Sequence, residues 1–216
     1  HPDAPDVDFS PFAGEYPEPI VLKPGQVLIY GMAMDSSDDS GLPGVLVEDL
    51  DGSTATTDVN GQFQLAVHED ADVDLRLTPT DDFVPVLLTL QSGWQTQLQQ
   101  GLTARMTSVT DYGLLHEGVL GEGRDRSLGS VWVSGQSDQT VSLSLTSEFG
   151  AAVVIGDSIA IGDELDPEDH VVIFLHVPPG EVTLQASVPD GSCQGREIIP
   201  VEAGLISTVY LDCSQP

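Results

Sequence analysis

Basic residues are scarce in this chain. Its 216 residues include 6 Lys or Arg against 35 Asp or Glu, which gives a formal net charge of −29, and Lys23 is the single lysine. Contacts with nucleic-acid phosphates or anionic lipid headgroups need Lys and Arg to replace counterions, so nucleic acid is excluded as a partner class. The charge indicates a solvated surface suited to salty surroundings, cation binding, or a basic partner.

Long apolar runs and the common catalytic motifs are missing as well. No apolar run approaches the ~20 residues that cross a bilayer, so no membrane-spanning segment is predicted. The chain contains no Gly-x-Ser-x-Gly, His-Glu-x-x-His, P-loop or dinucleotide-binding glycine motif. Acidic pairs occur throughout and therefore nominate no glycosidase. The prediction is a protein that is not an enzyme. The first residue is His1 rather than Met, which predicts a processed or trimmed end.

Only two cysteines are present, Cys193 and Cys213, near the C-terminus. If the segment between them is a strand, a turn at residues 202–204 and a returning strand, both cysteines come to the same edge of a sheet. That geometry suits a disulfide joining the last two strands, and it indicates an oxidising compartment. The alternative is a pair of buried free thiols, because cysteine is among the residues most often buried.

Alternation of apolar and polar residues is what the chain has in abundance. From Gln26 onward, stretches such as VLIYGMAM and GQFQLAV place apolar side chains at every second position, which is typical of half-buried strands. In TTDVNGQFQL, residues 56–65, Asp58 is expected to accept local backbone hydrogen bonds and Gly61 to tolerate a positive φ. Phe63 and Leu65 are then predicted to point into the core.

Composition divides the chain into four segments. Residues 1–25 hold six prolines and many acids, which predicts an extended N-terminal arm. Residues 26–95 and 128–216 have the strand pattern. Residues 96–127 do not read as strand and are predicted to form a partly helical linker. Its apolar residues recur at three- and four-residue spacing: Leu98, Leu102, Met106, Val109 and Tyr112.

Three segments in order carry a family resemblance: GLPGVLVE at 41–48, TTDVNGQFQL at 56–65 and DDFVPV at 81–86. Together they resemble the carboxypeptidase regulatory-like domain, a transthyretin-like seven-stranded β-sandwich. The segments GSVWVSG, TVSLSLTS and VVIFLHVPPGEVTLQASV resemble a divergent second copy, in which VVIGDSIAIGDELDPEDH replaces the usual turn with a longer acidic loop. The resemblance implies an all-β chain of two tandem seven-stranded-type β-sandwich domains joined by the partly helical linker.

The same resemblance also implies a function. Domains of this family are usually accessory units on enzymes, receptors and surface proteins, and no catalytic domain accompanies them here. The expected function is a non-catalytic, secreted or periplasmic module for binding, adhesion or assembly. Its expected partner is a protein or a carbohydrate surface, and the chain is expected to join an oligomer or larger complex.

The acidic loop of the second half is the predicted cation site. Asp163, Asp166, Glu168 and Asp169, with or without Asp157, lie one to three residues apart on a loop bounded by Gly162 and Pro167. Carboxylate oxygens are the ligands that calcium prefers, so calcium is the one cofactor considered. The alternative is a solvated acidic loop, because runs of carboxylates are usually surface.

Histidine offers the alternative function. An N-terminal His1 can bind copper through its amine and ring nitrogen, as in copper-binding proteins and copper-dependent oxidative enzymes with β-sandwich folds. Such sites need two or three imidazoles, and no second ligand is identified. His170 and His176 share strand parity but lie about 20 Å apart at strand rise, too far for one ion. Met32 and Met34 are interpreted as core residues.

Overall fold

Over the residues that the structure describes, the chain folds into β-strands with one helix. The computed structural model describes residues 20–69, 72–80, 82–90, 102–156, 158–167 and 171–213. His1, Asp157, Glu168, Asp169 and His170 lie outside the described residues. The strands are β1 (Gln26–Asp35), β2 (Leu46–Asp49), β3 (Thr54–Thr56), β4 (Gln62–His68), β5 (Val73–Thr78), β6 (Val86–Leu90), β7 (Leu102–Met106), β8 (Gly129–Gln136), β9 (Val141–Leu145), β10 (Ala151–Ile155), β11 (Ile159–Ile161), β12 (Glu164–Leu165), β13 (Val171–Val177), β14 (Gly180–Ser187), β15 (Ile198–Val201) and β16 (Ile206–Asp212). The helix is α1 (Val109–Leu120). No helix in these ranges has both the length and the apolar character needed to cross a membrane.

Three sheets account for the described strands. A nine-stranded sheet has the order β11-β10-β13-β8-β16-β6-β5-β2-β3. The three-stranded sheet β4-β1-β7 shares one buried cluster with β2, β5 and β6. The four-stranded sheet β12-β9-β14-β15 shares a second cluster with β8, β10, β13 and β16. The chain is therefore an all-β structure in which two small sheets pack on one large sheet.

The hairpin at Asp58–Gly61 has the predicted chemistry. The Asp58 carboxylate accepts from the backbone N–H of Asn60 and of Gln62, each at 2.9 Å. Gly61 has a φ of +79°, and a β-carbon there would lie 2.4 Å from the carbonyl oxygen of Ala33. The outgoing strand buries Phe63 and Leu65. The predicted turn and the predicted register of β4 are confirmed.

The segment before α1 differs from the prediction. Leu98 lies outside the described residues. Leu102 and Met106 belong to strand β7, which pairs in parallel with β1. Val109 and Tyr112 of the predicted helical face lie in α1. The three- and four-residue spacing hid a period of two, because Leu102, Ala104 and Met106 are all buried while the residues between them are exposed. A strand forms here because the free edge of β1 offers backbone partners.

Met32 and Met34 are not core residues. They alternate along β1 with the buried Gly31 and Ala33, so their side chains lie on the opposite, partly exposed face of the strand. The prediction chose the wrong face, because the residues of β1 are apolar on both faces and alternation alone does not decide which face is buried.

The acidic segment of the second half contains more regular structure than expected. The predicted loop includes β10 and β11, which form an antiparallel hairpin pairing Val153 with Ile161 and Ile155 with Ile159. β-branched residues favour this extended form. The turn between the strands runs through Gly156 and Ser158, where the Gly156 N–H donates to the Ser158 carbonyl at 3.2 Å.

Strand β16 joins the two halves of the large sheet. It pairs in parallel with β6 on one side and with β8 on the other. Ile206 belongs to the first buried cluster, whereas Val209 and Leu211 belong to the second. The large sheet therefore continues across the boundary predicted between the two strand-rich segments.

The two cysteines are bonded, but not at the edge of a hairpin. Strand β15 precedes the predicted turn and β16 follows it, yet β15 pairs with β14 in the four-stranded sheet and β16 lies in the nine-stranded sheet. The Cys193–Cys213 disulfide therefore ties the segment before β15 to the end of β16, beside the backbone bridge between Gln194 and Asp212. The hairpin prediction was wrong because the alternation of apolar and polar residues does not specify which neighbouring strand a strand pairs with.

The two halves of the large sheet meet at β16, and this region is called the joint. Among the described residues, Arg76 and Arg196 form ion pairs across it. The Arg196 guanidinium binds both carboxylate oxygens of Asp74 on β5, at 2.5 and 3.1 Å. Arg76 on β5 pairs with Glu202, which follows β15. The Arg196 and Asp74 side chains are 14% and 12% exposed, whereas the Arg105–Asp39 pair within the first half is more than half exposed at both partners. The Arg196 pair is thus the best shielded from solvent of these.

Phe63→Ala should lower the free energy of unfolding by about 3–5 kcal/mol, because it empties a large core site against the bare backbone of Gly31. Denaturant unfolding at neutral pH measures the change. Val59→Ala is the matched control on the same hairpin, since Val59 is exposed. Equal midpoints for Phe63→Ala and the wild type would contradict the register given for β4.

Arg196→Gln should cost about 3 kcal/mol of stability, because it leaves the Asp74 carboxylate buried without its cation. Burial already raises the pKa of Asp74 even beside Arg196. Arg105→Gln makes the same chemical change at an exposed pair and should cost no more than about 1 kcal/mol. Urea unfolding of both variants decides the point, and equal losses would show that the joint does not depend on this pair.

Candidate functional site

A cluster of aromatic and basic side chains lies where α1 covers the large sheet. Ser108 caps the N-terminus of α1 by accepting from the Asp111 N–H at 3.0 Å, and Gly121 ends the helix with a φ of 72°. The helix buries Tyr112 and His116, which are four residues apart and therefore on one face. These two side chains form the floor of the candidate site.

His176 meets this face from the sheet. The rings of His116 and His176 lie 4.9 Å apart between centroids, and the Tyr112 ring meets His116 edge-on at 4.6 Å. His176 lies in a bulge of β13, where the register with β8 shifts, and its φ is +57°. A positive φ is uncommon for histidine in a strand and marks a position held by its surroundings.

Polar contacts surround His176 but not His116. The His176 Nε2 accepts from the Asp125 N–H at 3.5 Å, and its Nδ1 lies 3.6 Å from Glu122 Oε1. Arg124 stacks 5.0 Å from the Tyr112 ring centroid and donates to the carbonyl of Gly204. Both ring nitrogens of His116 are buried without a hydrogen-bond partner in the described structure. An unpaired buried imidazole of this kind is costly and is the most unusual group of the site.

Burial keeps the His116 and Tyr112 side chains uncharged at neutral pH. Burial, with smaller contributions from the neighbouring His176 and Arg124, lowers the pKa of His116 to about 4. Burial raises the pKa of Tyr112 to about 12, against the opposing hydrogen bond with Ser130. Neutral imidazoles can accept protons or bind a transition metal. Among the described residues, however, no three His, Cys, Asp or Glu side chains are grouped closely enough to hold a metal ion.

The predicted calcium loop is described only in part. Asp163 and Asp166 are exposed, while Glu168, Asp169 and Asp157 lie outside the described residues. The Asp163 carbonyl accepts from Leu143 at 2.8 Å, and the Asp166 carboxylate accepts from the Thr140 hydroxyl. These contacts attach the loop to β9 and its preceding turn. His1, the predicted copper ligand, also lies outside the described residues.

One open pocket lies beside the disulfide. It has a volume of about 310 Å³ and is lined by backbone and side chains of β14, the segment around Arg196, and Leu211 of β16. Gly195 makes the close approach possible, because a β-carbon there would lie 2.5 Å from the Leu211 side chain. Arg196, the basic residue of the lining, already binds Asp74.

Sequence reasoning missed the His116–His176 contact. The spacing of Tyr112 and His116 places both on one helix face, and this signal could have been used. His176 was compared with His170 on its own strand instead. No sequence pattern places His176 against α1, because the bulge of β13 and the packing of the helix on the sheet are both tertiary features.

The comparisons with known proteins give only distant likenesses. No family model and no curated protein matches the chain. Among solved structures, the Bacillus anthracis TIE protein is 11% identical over 88% of this chain and 34% of its own, with a TM-score of 0.28. GBS52, the minor pilin of Streptococcus agalactiae, is 12% identical over 88% and 96%, also at 0.28. The shaft pilin SpaA of Lactobacillus rhamnosus GG is 10% identical over 89% and 98%, at 0.27. These scores are too low to assign a function by likeness.

The buried His116 should make stability depend on pH. Its pKa is about 4 in the fold and ordinarily 6.5, so the unfolded chain binds the proton first. The stability due to this group is complete above pH 6.5 and is lost as pH falls towards 4, by about 3 kcal/mol at 1.36 kcal/mol per pKa unit.

His116→Leu should remove that share of the pH dependence, measured as the difference in unfolding free energy between pH 7 and pH 4. The exposed His68 provides the control His68→Gln. Subtracting each variant from the wild type cancels the carboxylates common to all three. An unchanged slope for His116→Leu would show that His116 is not the group that titrates.

Proposed function

We propose that this chain is a non-catalytic module for binding and assembly. The observation that carries the proposal is the nine-stranded sheet, which runs through both halves and is held at β16 by parallel pairing on both sides. The Arg196–Asp74 pair adds a further tie between the halves, and the disulfide fixes the end of β16 within the second half. Such a rigid platform presents large sheet surfaces and edges to a macromolecule, and its described pocket beside the disulfide is open rather than enclosed.

The proposed compartment is outside the cytoplasm. A disulfide persists in oxidising surroundings, and Cys193 and Cys213 are bonded in the structure. The net charge of −29 keeps such a surface hydrated in salty media. We therefore assign the chain to a secreted or periplasmic protein, as a subunit or domain that joins a protein partner or a carbohydrate surface.

The proposed domain type is a tandem pair of carboxypeptidase regulatory-like sandwiches. The support is local: the TTDVNGQFQL turn leads into β4, and the GLPGVLVE segment leads into β2. Strands β1–β7 make the first sandwich, and β8–β16 make a divergent second one. Unlike independent domains, the two sandwiches share the nine-stranded sheet.

Site-specific photo-crosslinking tests the proposed module. A photo-reactive residue is placed singly at four exposed positions spread over the molecule: Tyr30, Val59, Leu114 and Ile161. The protein is produced in its source cells, irradiated and analysed by denaturing gel and mass spectrometry. A binding module should give a discrete crosslinked species of defined mass at one or more positions, because its partner occupies a fixed surface.

Unirradiated protein is the control for each position. Irradiated protein purified beforehand to homogeneity shows which species come from contact between copies of the chain. The absence of a discrete species at all four positions would contradict the proposal, since it would leave no surface with a resident partner.

A further inference from the structure

The outermost strand of the large sheet has an open edge. Among the described residues, no strand lies beyond β11. The Gly162 N–H donates to the Ala152 carbonyl, and the Gly156 N–H donates to the Ser158 carbonyl. These two bonds show which residues of the β10–β11 ladder direct their backbone groups towards each other. In an antiparallel ladder the intervening residues direct their N–H and C=O groups the other way. Ile159 and Ile161 therefore direct four backbone groups to the open edge.

The side chains at this edge are apolar and exposed. Ile159 and Ile161 are 61% and 78% exposed. They lie opposite Ile155 and Val153, and opposite residues of a ladder share a face. Val153 is buried in the cluster that includes Ile173, Leu175 and the packed face of α1. The apolar face covered by α1 thus continues outward to β11, where none of the described elements covers it.

The charge around the edge is of one sign. Residues 157–169 contain six acids and no Lys or Arg. Asp163 and Glu164, which follow the strand after Gly162, are exposed. A second copy of this chain would bring the same negative charge to the edge, whereas a basic segment would be attracted to it. The opposite edge, β3, carries Thr54 and Thr56 instead of isoleucines and makes no comparable apolar surface.

We infer that β11 is a docking edge for a basic, extended polypeptide segment that adds as a tenth strand to the large sheet. The incoming strand pairs with the four free backbone groups of Ile159 and Ile161. Its apolar side chains, at every second position, pack beside the two isoleucines on the face that α1 leaves uncovered. Its Lys or Arg side chains lie beside the exposed carboxylates of Asp163 and Glu164. The main chain supplies affinity, and the alternation and charge supply selectivity.

This inference rests on the proposed function and names its partner class. The test measures binding of three short synthetic peptides to the intact protein by fluorescence anisotropy. One alternates lysine and valine, the second is the same peptide with N-methylated valines, and the third alternates glutamate and valine. The first should bind at least about tenfold more tightly than the second, which has the same charge but lacks the pairing N–H groups. The third should not bind.

A pair of double variants locates the binding. Ile159→Lys with Ile161→Lys should abolish the preference for the unmethylated peptide. Thr54→Lys with Thr56→Lys changes the net charge equally at the opposite edge and should preserve it. All four positions are exposed, so both variants are expected to fold, and their thermal unfolding is checked against the wild type.

Three results would overturn the inference. Equal binding of methylated and unmethylated peptides, or equal weakening by both double variants, would mean attraction by net charge alone. A wild-type dimer in sedimentation that Ile159→Lys with Ile161→Lys dissociates would give the edge to a second copy. If one of these results occurs but a partner is crosslinked at Tyr30 or Leu114, only the assignment of the β11 edge is wrong and the proposed binding module stands. If no position gives a crosslinked species, the proposed function itself is wrong.

Discussion

The placement of β16 between β6 and β8 is the constraint on which the architecture depends. This strand is the last in the described chain, yet it occupies the middle of the largest sheet. It supplies Ile206 to one buried cluster and Val209 and Leu211 to the other. Because both of its neighbours run parallel to it, neither pairing can form through a tight hairpin. The joint therefore depends on contacts between residues far apart in sequence, which form at a high entropic cost.

The scarcity of cations gives the few arginines a structural role. In a chain of net charge −29, carboxylates repel one another in the compact state. Arg76 and Arg196 neutralise carboxylates where the two halves meet, and Arg124 binds the Gly204 carbonyl in the turn before β16. Ion pairs on the surface contribute little to stability, but removing one partner of a shielded pair is strongly destabilising because the other charge is left buried. The same three residues therefore hold in place the strand that both cores share.

Local features of the fold could be predicted from sequence, and pairings could not. The Asp58–Gly61 turn and the buried Phe63 follow from side-chain chemistry within a few residues. Strand β7 was missed because Leu102 and Met106 satisfy a helical spacing as well as a strand period. The separation of β15 and β16 into different sheets was missed because nothing between Ile198 and Asp212 specifies a partner. The His116–His176 contact belongs to the same class, since it joins α1 to a bulge in β13.

The negative charge of the chain bears directly on what can pair with the open edge of β11. An exposed edge strand with isoleucines is a template for pairing with another copy, and proteins commonly guard such edges with charge. Asp163 and Glu164 follow Ile159–Ile161 after one glycine, where their negative charge can oppose pairing with another copy. Unlike lysine on the strand itself, these carboxylates leave the four backbone groups of the edge accessible. Repulsion therefore acts against identical copies but not against a basic strand, so a single arrangement both suppresses self-association and admits a partner of opposite charge.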